Sequence, residues 1–207
     1  MPSKFRIRYL FRPIINRIAK SLIKIGITPN LATTIMFFFS ILCFIALTIF
    51  GNILLFSISV FITGIMDGCD GAIARLTNKS TEFGGFFDSI MDRFSEFFIF
   101  LGLYLYTQSQ TLWNLFDMKL IVLLSFLASI MISYTRARAE VFFKEDFDLG
   151  LMARSERLFY LVIVSLISFF YDFFNFFLFV FMWLVIATFL FRIAKIYIKM
   201  KSKDNEI

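Results

Sequence analysis

The chain contains no histidine. That removes the usual general base and the commonest transition-metal ligand, and leaves carboxylates to fill both roles. Cysteine is nearly absent as well: Cys43 and Cys69 lack the spacing of a disulfide framework or a zinc site. With three prolines and nine glycines in 207 residues, no low-complexity linker, internal repeat or second domain is visible. Charge is scarce, at 17% of residues. The basic N-terminal stretch has no apolar core followed by small residues, so a cleaved signal peptide is not expected.

Apolar side chains fill the space instead. Hydrophobic residues make up 59% of the chain, 32 of them phenylalanine, and the mean hydropathy is +0.82. Windows of roughly 17–25 apolar residues mark membrane crossings. Six are found, near residues 31–50, 53–74, 84–106, 119–139, 156–172 and 175–197. The expected fold is all-α integral membrane, with six transmembrane helices preceded by an N-terminal amphipathic interfacial helix. Residues 1–207 read as a single membrane domain: an interfacial segment over 1–27, a six-helix core over 28–198 and a flexible tail over 199–207. Within the first segment, residues 14–25 set Ile14, Ile15, Ile18, Leu22 and Ile25 against Asn16, Arg17, Lys20 and Lys24. Pro13 suits the first turn of such a helix and Gly26 its end.

Basic residues give the orientation. Lys4, Arg6, Arg8, Arg12, Arg17, Lys20 and Lys24 precede the first span, and Arg75 and Lys79 join the second to the third. Arg136, Arg138, Lys144, Arg154 and Arg157 join the fourth to the fifth, and Arg192, Lys195, Lys199, Lys201 and Lys203 end the chain. The opposite connections have almost none. Both termini are therefore expected in the cytoplasm, in a multi-pass protein of the cell membrane. The net charge of +6 then belongs to a surface that meets anionic headgroups or phosphorylated substrates, and nucleic acid is not an expected partner.

Against this background, four acids stand out. Asp67 and Asp70 are three residues apart and Asp88 and Asp92 four apart, so each pair projects from one helical face. The fourteen residues 53–66 that precede Asp67 rise roughly 21 Å, which puts it in the inner third of a bilayer. Carboxylates at that depth are a functional site by default. Four of them cannot all stay ionised unaided, and oxygen-only ligands favour Mg²⁺, Mn²⁺ or Ca²⁺. Two divalent ions would balance the four charges and could clamp a pyrophosphate for in-line displacement. Gly71 allows close approach of a ligand, and Arg75 can pair with a phosphate. A helix-packing network with Arg75 and Arg93, or a divalent-cation transporter, are the alternatives at this point. A transporter calls for a path open on both sides, whereas the acids gather near one.

Asp67, Asp70, Gly71, Ala74, Arg75, Gly84, Asp88 and Asp92 fit the pattern D-x2-D-G-x2-A-R-x8-G-x3-D-x3-D. That pattern resembles the signature of the CDP-alcohol phosphotransferases, and the resemblance covers essentially the whole chain. It implies six transmembrane helices, a homodimer, and transfer of a phosphatidyl-type group from a CDP-lipid to an alcohol with release of CMP. It further implies that Asp67, Asp70, Asp88 and Asp92 bind two metals, Mg²⁺ or Mn²⁺, and that Asp92 is also the general base. With no histidine present, a carboxylate is a reasonable proton acceptor. Asn30, Thr33, Gly71, Arg75 and Thr81 stand where the family contacts its CDP-lipid, although Asn and Thr also serve as helix caps. Glu96 continues the Asp88–Asp92 face and is expected to support or pack the site.

The second half of the chain bears on the acceptor. Ser133 to Glu140 fits S-Y-x-K/R-A-R-A-E, and Arg154 to Leu158 fits R-x-E-R-L. Both resemble the branch that makes phosphatidylinositol phosphate or archaetidylinositol phosphate. The resemblance implies CDP-archaeol or CDP-diacylglycerol as donor and myo-inositol phosphate as acceptor, with Arg136, Arg138, Arg154 and Arg157 on the acceptor's phosphate. Forked guanidinium groups suit a phosphate dianion. Glycerol 3-phosphate or serine is the alternative acceptor, and anchoring to headgroups is the plainer role for these arginines. Bacterial members commonly carry proline where this chain has Ser155, which points towards the archaeal form.

Overall fold

The computed structural model describes residues 7–143 and 150–204. Lys4, Arg6 and Lys144, which contribute to the expected orientation, lie outside the described residues. Those residues are nearly all helical: α1 Ile7–Lys24, α2 Pro29–Thr48, α3 Ile53–Thr77, α4 Glu82–Tyr106, α5 Met118–Phe142, α6 Arg154–Phe170 and α7 Phe174–Asp204. Four of them, α2, α3, α5 and α7, are long and apolar enough to cross a membrane. The other two expected spans depart from that for opposite reasons. α4 is 25 residues long but carries Asp88, Asp92, Arg93 and Glu96, whereas α6 is apolar but has only 17 residues.

Side chains at the helix starts explain the boundaries. Thr28 accepts from the Leu31 N–H at 3.3 Å just ahead of Pro29, and Asn52 accepts from the Leu55 N–H at 2.9 Å. Thr81 accepts from the Gly84 N–H at 3.0 Å and Asp117 from the Lys119 N–H at 2.8 Å. Each satisfies one donor that a helix start leaves open, worth about 1 kcal/mol. Asn78, left-handed at φ 52°, ends α3 and turns the chain towards α4. Between α4 and α5 lies a two-stranded hairpin: β1 Thr111–Leu112 pairs antiparallel with β2 Phe116–Asp117.

α1 differs from its expected form at the start. It begins at Ile7, so Pro13 lies inside the helix rather than in its first turn. The row Ile7, Phe11 and Ile15, spaced i,i+4, reaches across this proline, and Phe11 packs on Phe159 of α6 with ring centroids 5.7 Å apart. At the other end of the chain α7 continues as helix through Asp204, over most of the stretch expected to be a flexible tail.

The helices pack in a chain of neighbours: α1 on α3, α3 on α2 and α6, α2 on α4, α4 on α5, and α5 on α7. One apolar cluster runs through α2 to α7 and includes Cys43, Phe56, Ile99, Met118, Leu161 and Phe181. A smaller cluster lies under α1, where Ala19 meets Ala32, Met66, Cys69 and Ile73. Small residues set the close crossings: a Cβ on Gly102 would lie 3.1 Å from the Phe44 backbone of α2. The outward faces are also apolar, with Phe38, Phe61, Phe86, Leu123, Leu127 and Trp183 exposed. That pattern suits hydrocarbon on both sides of the bundle wall. This is a multi-pass membrane protein.

Candidate active site

The reversal between α3 and α4 assembles the acids. α3 carries Asp67 and Asp70 down to the turn at Asn78, and α4 returns with Asp88 and Asp92. Asp67, Asp88 and Asp92 each present a carboxylate oxygen within 4.8 Å of the others. Asp70 sits on the flank of this group. It is buried, accepts from Thr33 Oγ1 of α2 at 3.0 Å and accepts from the Gly71 N–H. Oδ1 of Asp88 is buried with no hydrogen-bond partner among the described residues. A buried carboxylate oxygen left open beside two other carboxylates is the donor set of a hard divalent cation.

Two glycines of the pattern lie close to side chains that line the site. A Cβ on Gly84 would lie 2.9 Å from Thr81 Oγ1 and 3.4 Å from Asn30 Oδ1, and one on Gly71 would lie 3.2 Å from Arg75 Nη1. At Gly84, therefore, any larger residue strikes the hydroxyl that caps α4. Asn30, Thr33, Gly71 and Thr81, four of the five residues expected at the CDP-lipid, line one cavity of about 160 Å³ together with Asp70 and Asp88. Arg75, the fifth, lines a second and larger cavity of about 680 Å³ that also includes Asp67, Asp70, Gly71, Asp88 and Asp92. The two cavities share Asp70, Gly71 and Asp88.

The four arginines expected at the acceptor separate into two groups. Arg136 and Arg154 line the larger cavity. Arg154 Nη1 forms ion pairs with Asp67 Oδ1 and, at 2.5 Å, with Asp92 Oδ1, so its guanidinium bridges the two helices that carry the acids. Arg136 donates to Glu140 at 2.8 Å. Arg157 and Arg138 do not reach the cavity. Arg157 is buried and donates to Glu96 Oε1 at 2.8 Å, the Met152 carbonyl at 3.0 Å and Ser133 Oγ at 3.4 Å. Its hydrogen bonds are spent inside the protein, as those of a buried charge must be. Glu96 accordingly packs α4 to α6, one of the roles expected of it. Arg138 is exposed, with its guanidinium stacked 5.1 Å from the centre of the Phe142 ring.

Two further cavity residues, Arg12 and Asn16 of α1, were not foreseen as part of the site. Their signal was present, since they are polar and spaced i,i+4, but Arg12 read only as an orienting charge and Asn16 as part of the polar face of an interfacial helix.

A model of the CDP-alcohol phosphatidyltransferase family matches residues 26–194. The chain belongs to that family. It is 34% identical over 163 residues to the archaetidylinositol phosphate synthase of Pyrococcus horikoshii, covering 79% of this chain and 82% of that one. Likewise, it is 32% identical over 153 residues to the phosphatidylinositol phosphate synthase of Mycobacteroides abscessus, covering 73% and 67%. The crystal structure of Mycobacterium tuberculosis phosphatidylinositol phosphate synthase with CDP-DAG bound has the same fold. The TM-score is 0.75 at 25% identity, covering 89% of this chain and 94% of that one. In this family member the matched region runs from just beyond α1 into α7, so all four acids and all four second-half arginines fall within it.

Proposed function

We propose that this CDP-alcohol phosphatidyltransferase family member transfers a phosphatidyl or archaetidyl group from a CDP-lipid to myo-inositol phosphate and releases CMP. One observation carries the reading: carboxylates from α3 and α4 converge at the junction of two cavities, one lined by Asn30, Thr33 and Thr81 and the other by Arg136 and Arg154. The named activities of the Pyrococcus and Mycobacteroides relatives support inositol phosphate as the acceptor. The CDP-DAG bound to the mycobacterial synthase supports a CDP-lipid as donor.

Asp67, Asp70, Asp88 and Asp92 are the residues that would hold two divalent ions, Mg²⁺ or Mn²⁺, which supply charge neutralisation and Lewis acidity at the diphosphate. Asn30, Thr33, Gly71, Arg75 and Thr81 position the donor. Arg136 and Arg154 draw the acceptor's phosphate into the larger cavity, and Asp92 takes the proton from the acceptor hydroxyl. The new bond joins that oxygen to the lipid-side phosphorus, and the bond from this phosphorus to the oxygen of CMP breaks. Asp92 can do this only when its carboxylate is turned towards the acceptor rather than held by Arg154.

The same reading extends to the architecture. Residues 1–207 form one membrane domain in which α2 to α7 cross the bilayer six times, α1 lies in the interface, and the protein works as a homodimer. The basic residues at both ends and at the active-site loops support a cytoplasmic placement of the termini and of the site.

CMP release by the purified protein in detergent tests the function, with Mg²⁺ or Mn²⁺, CDP-archaeol or CDP-diacylglycerol, and one acceptor at a time. Release only with inositol phosphate is the expected result. Release with glycerol 3-phosphate or serine instead overturns the acceptor assignment, and no release with either lipid and any acceptor overturns the reaction.

A further inference from the structure

α1 forms part of the wall of the larger cavity. Ile15 sits directly on the helix that carries the first two acids: a Cβ on Gly68 would lie 3.2 Å from Ile15 Cδ1 and 3.3 Å from its Cγ2. Ala19, one turn on, is completely buried. On the other side, Phe11 packs against Phe159 of α6. α1 therefore bridges α3, with Asp67 and Asp70, and α6, with Arg154. A helix held at two places has a fixed rotation, and that rotation turns Arg12 and Asn16 into the cavity.

The charges along this wall show what Arg12 has to offer. Four acids line the cavity, as do four arginines: Arg12, Arg75, Arg136 and Arg154. Arg154 is held by Asp67 and Asp92, and Arg136 by Glu140. Arg12 forms no ion pair or hydrogen bond among the described residues, and neither does Asn16. The lining acids and arginines are equal in number, with Arg136 paired outside the lining. Loading the acids with divalent cations leaves an excess of positive charge, which a diphosphate alone does not cancel. A second phosphate does.

Position decides which phosphate Arg12 meets. The smaller cavity, lined by Asn30 and Thr81, does not include Arg12, whereas the larger one with Arg136 and Arg154 does. We propose that Arg12 and Asn16 of α1 contact the phosphorylated acceptor, the Arg12 guanidinium on its phosphate oxygens and the Asn16 amide on its hydroxyls. Arg12 provides forked donors, and an amide both donates and accepts, as a polyol requires. The inference rests on the acceptor being phosphorylated. It assigns acceptor selection in part to a helix that lies wholly outside the matched family region.

Steady-state CMP release tests it, with Mn²⁺ present and either myo-inositol phosphate or the CDP-lipid varied at saturating levels of the other. Arg12→Ala should raise the acceptor KM about tenfold, the effect of one charge-assisted hydrogen-bonded contact. The CDP-lipid KM and kcat should stay within about twofold. Arg12→Lys should recover part of the loss, and Asn16→Ala should raise the acceptor KM by a smaller factor. Because Arg12 is exposed while Ile15 and Ala19 hold the helix, the melting temperature of each variant should match that of the wild type.

An unchanged acceptor KM in Arg12→Ala, or a loss that no acceptor concentration overcomes, overturns the role of Arg12 and leaves the acceptor reading standing. Wild-type turnover with glycerol 3-phosphate and not inositol phosphate, with the same Arg12 dependence, does the reverse. Wild-type turnover confined to an unphosphorylated acceptor overturns both.

Discussion

A divalent cation held as proposed would compete with Arg154 for the same oxygens, and that competition is measurable without turnover. The Arg154 guanidinium contacts Asp67 and Asp92, two of the three acids whose oxygens gather within 4.8 Å. Replacing Arg154 by glutamine keeps polar volume while leaving these carboxylates without their cation. Stripping one partner from a fully buried pair costs about 3–5 kcal/mol. Here the Arg154, Asp67 and Asp92 side chains keep 14%, 24% and 18% exposure, so water screens part of that cost. A discounted figure of about 1.5–3 kcal/mol remains. A bound cation recovers it, so Arg154→Gln should bind Mn²⁺ about ten- to hundredfold more tightly than the wild type. Isothermal titration of the detergent-solubilised protein with Mn²⁺ alone, in the absence of both substrates, reads this directly. In the same variant the acceptor KM should rise, because the arginine freed by metal is the one that meets the phosphate. Unchanged or weaker Mn²⁺ affinity in Arg154→Gln would refute the competition and, with it, a shared site for the arginine and the metal.

Three other outcomes follow from the geometry. Asp92→Asn should reduce single-turnover CMP release by at least about a hundredfold while CDP-lipid binding persists, and normal turnover would remove Asp92 from the role of base. Gly84→Ala puts a Cβ 2.9 Å from the Thr81 hydroxyl; it should cost about 1 kcal/mol of capping and raise the CDP-lipid KM more than the acceptor KM, as separate titrations of the two substrates would show. Glu96→Ala leaves buried Arg157 uncompensated, at a cost of about 3–5 kcal/mol. Its melting temperature in detergent should fall clearly, whereas Arg138→Ala, a change at the surface, should melt as the wild type does.

Much of the site was legible because it is local. Asp67, Asp70, Asp88 and Asp92 lie on two consecutive helices, and helical spacing alone puts each pair on one face. Gly84 was legible as part of a pattern but not as a physical necessity, since its neighbours Thr81 and Asn30 come together only in three dimensions. The arginines show the limit most plainly. Arg154 and Arg157 are three residues apart and equally basic, yet one bridges two acids at the cavity and the other is buried against Glu96. Which of them reaches the cavity depends on how α6 is rotated against α3 and α4, and spacing along α6 does not contain that rotation. The crossings were read from apolar length, which finds α2, α3, α5 and α7 readily. The same apolar windows over α4 and α6 fall short of that measure, α4 by its charges and α6 by its length. The hairpin at Thr111–Asp117 left no signal, because strands of two residues carry no periodicity.

The pairing of Arg154 with Asp67 spans 87 residues, and that separation matters while the chain is being made. The helical hairpin of α3 and α4 is complete, with Asp67, Asp70, Asp88 and Asp92 in place, before α5 or the segment bearing Arg154 has been synthesised. Synthesis at about 5–20 residues per second leaves this intermediate waiting for several seconds. During that interval its own arginines, Arg75 and Arg93, are too few to balance the acids, and unpaired carboxylates are costly wherever water is excluded. Protons or cations drawn from the aqueous side must neutralise it until α6 arrives. The order in which the gene encodes these helices thus leaves the newborn hairpin with unbalanced acids, and the late arginine completes the balance.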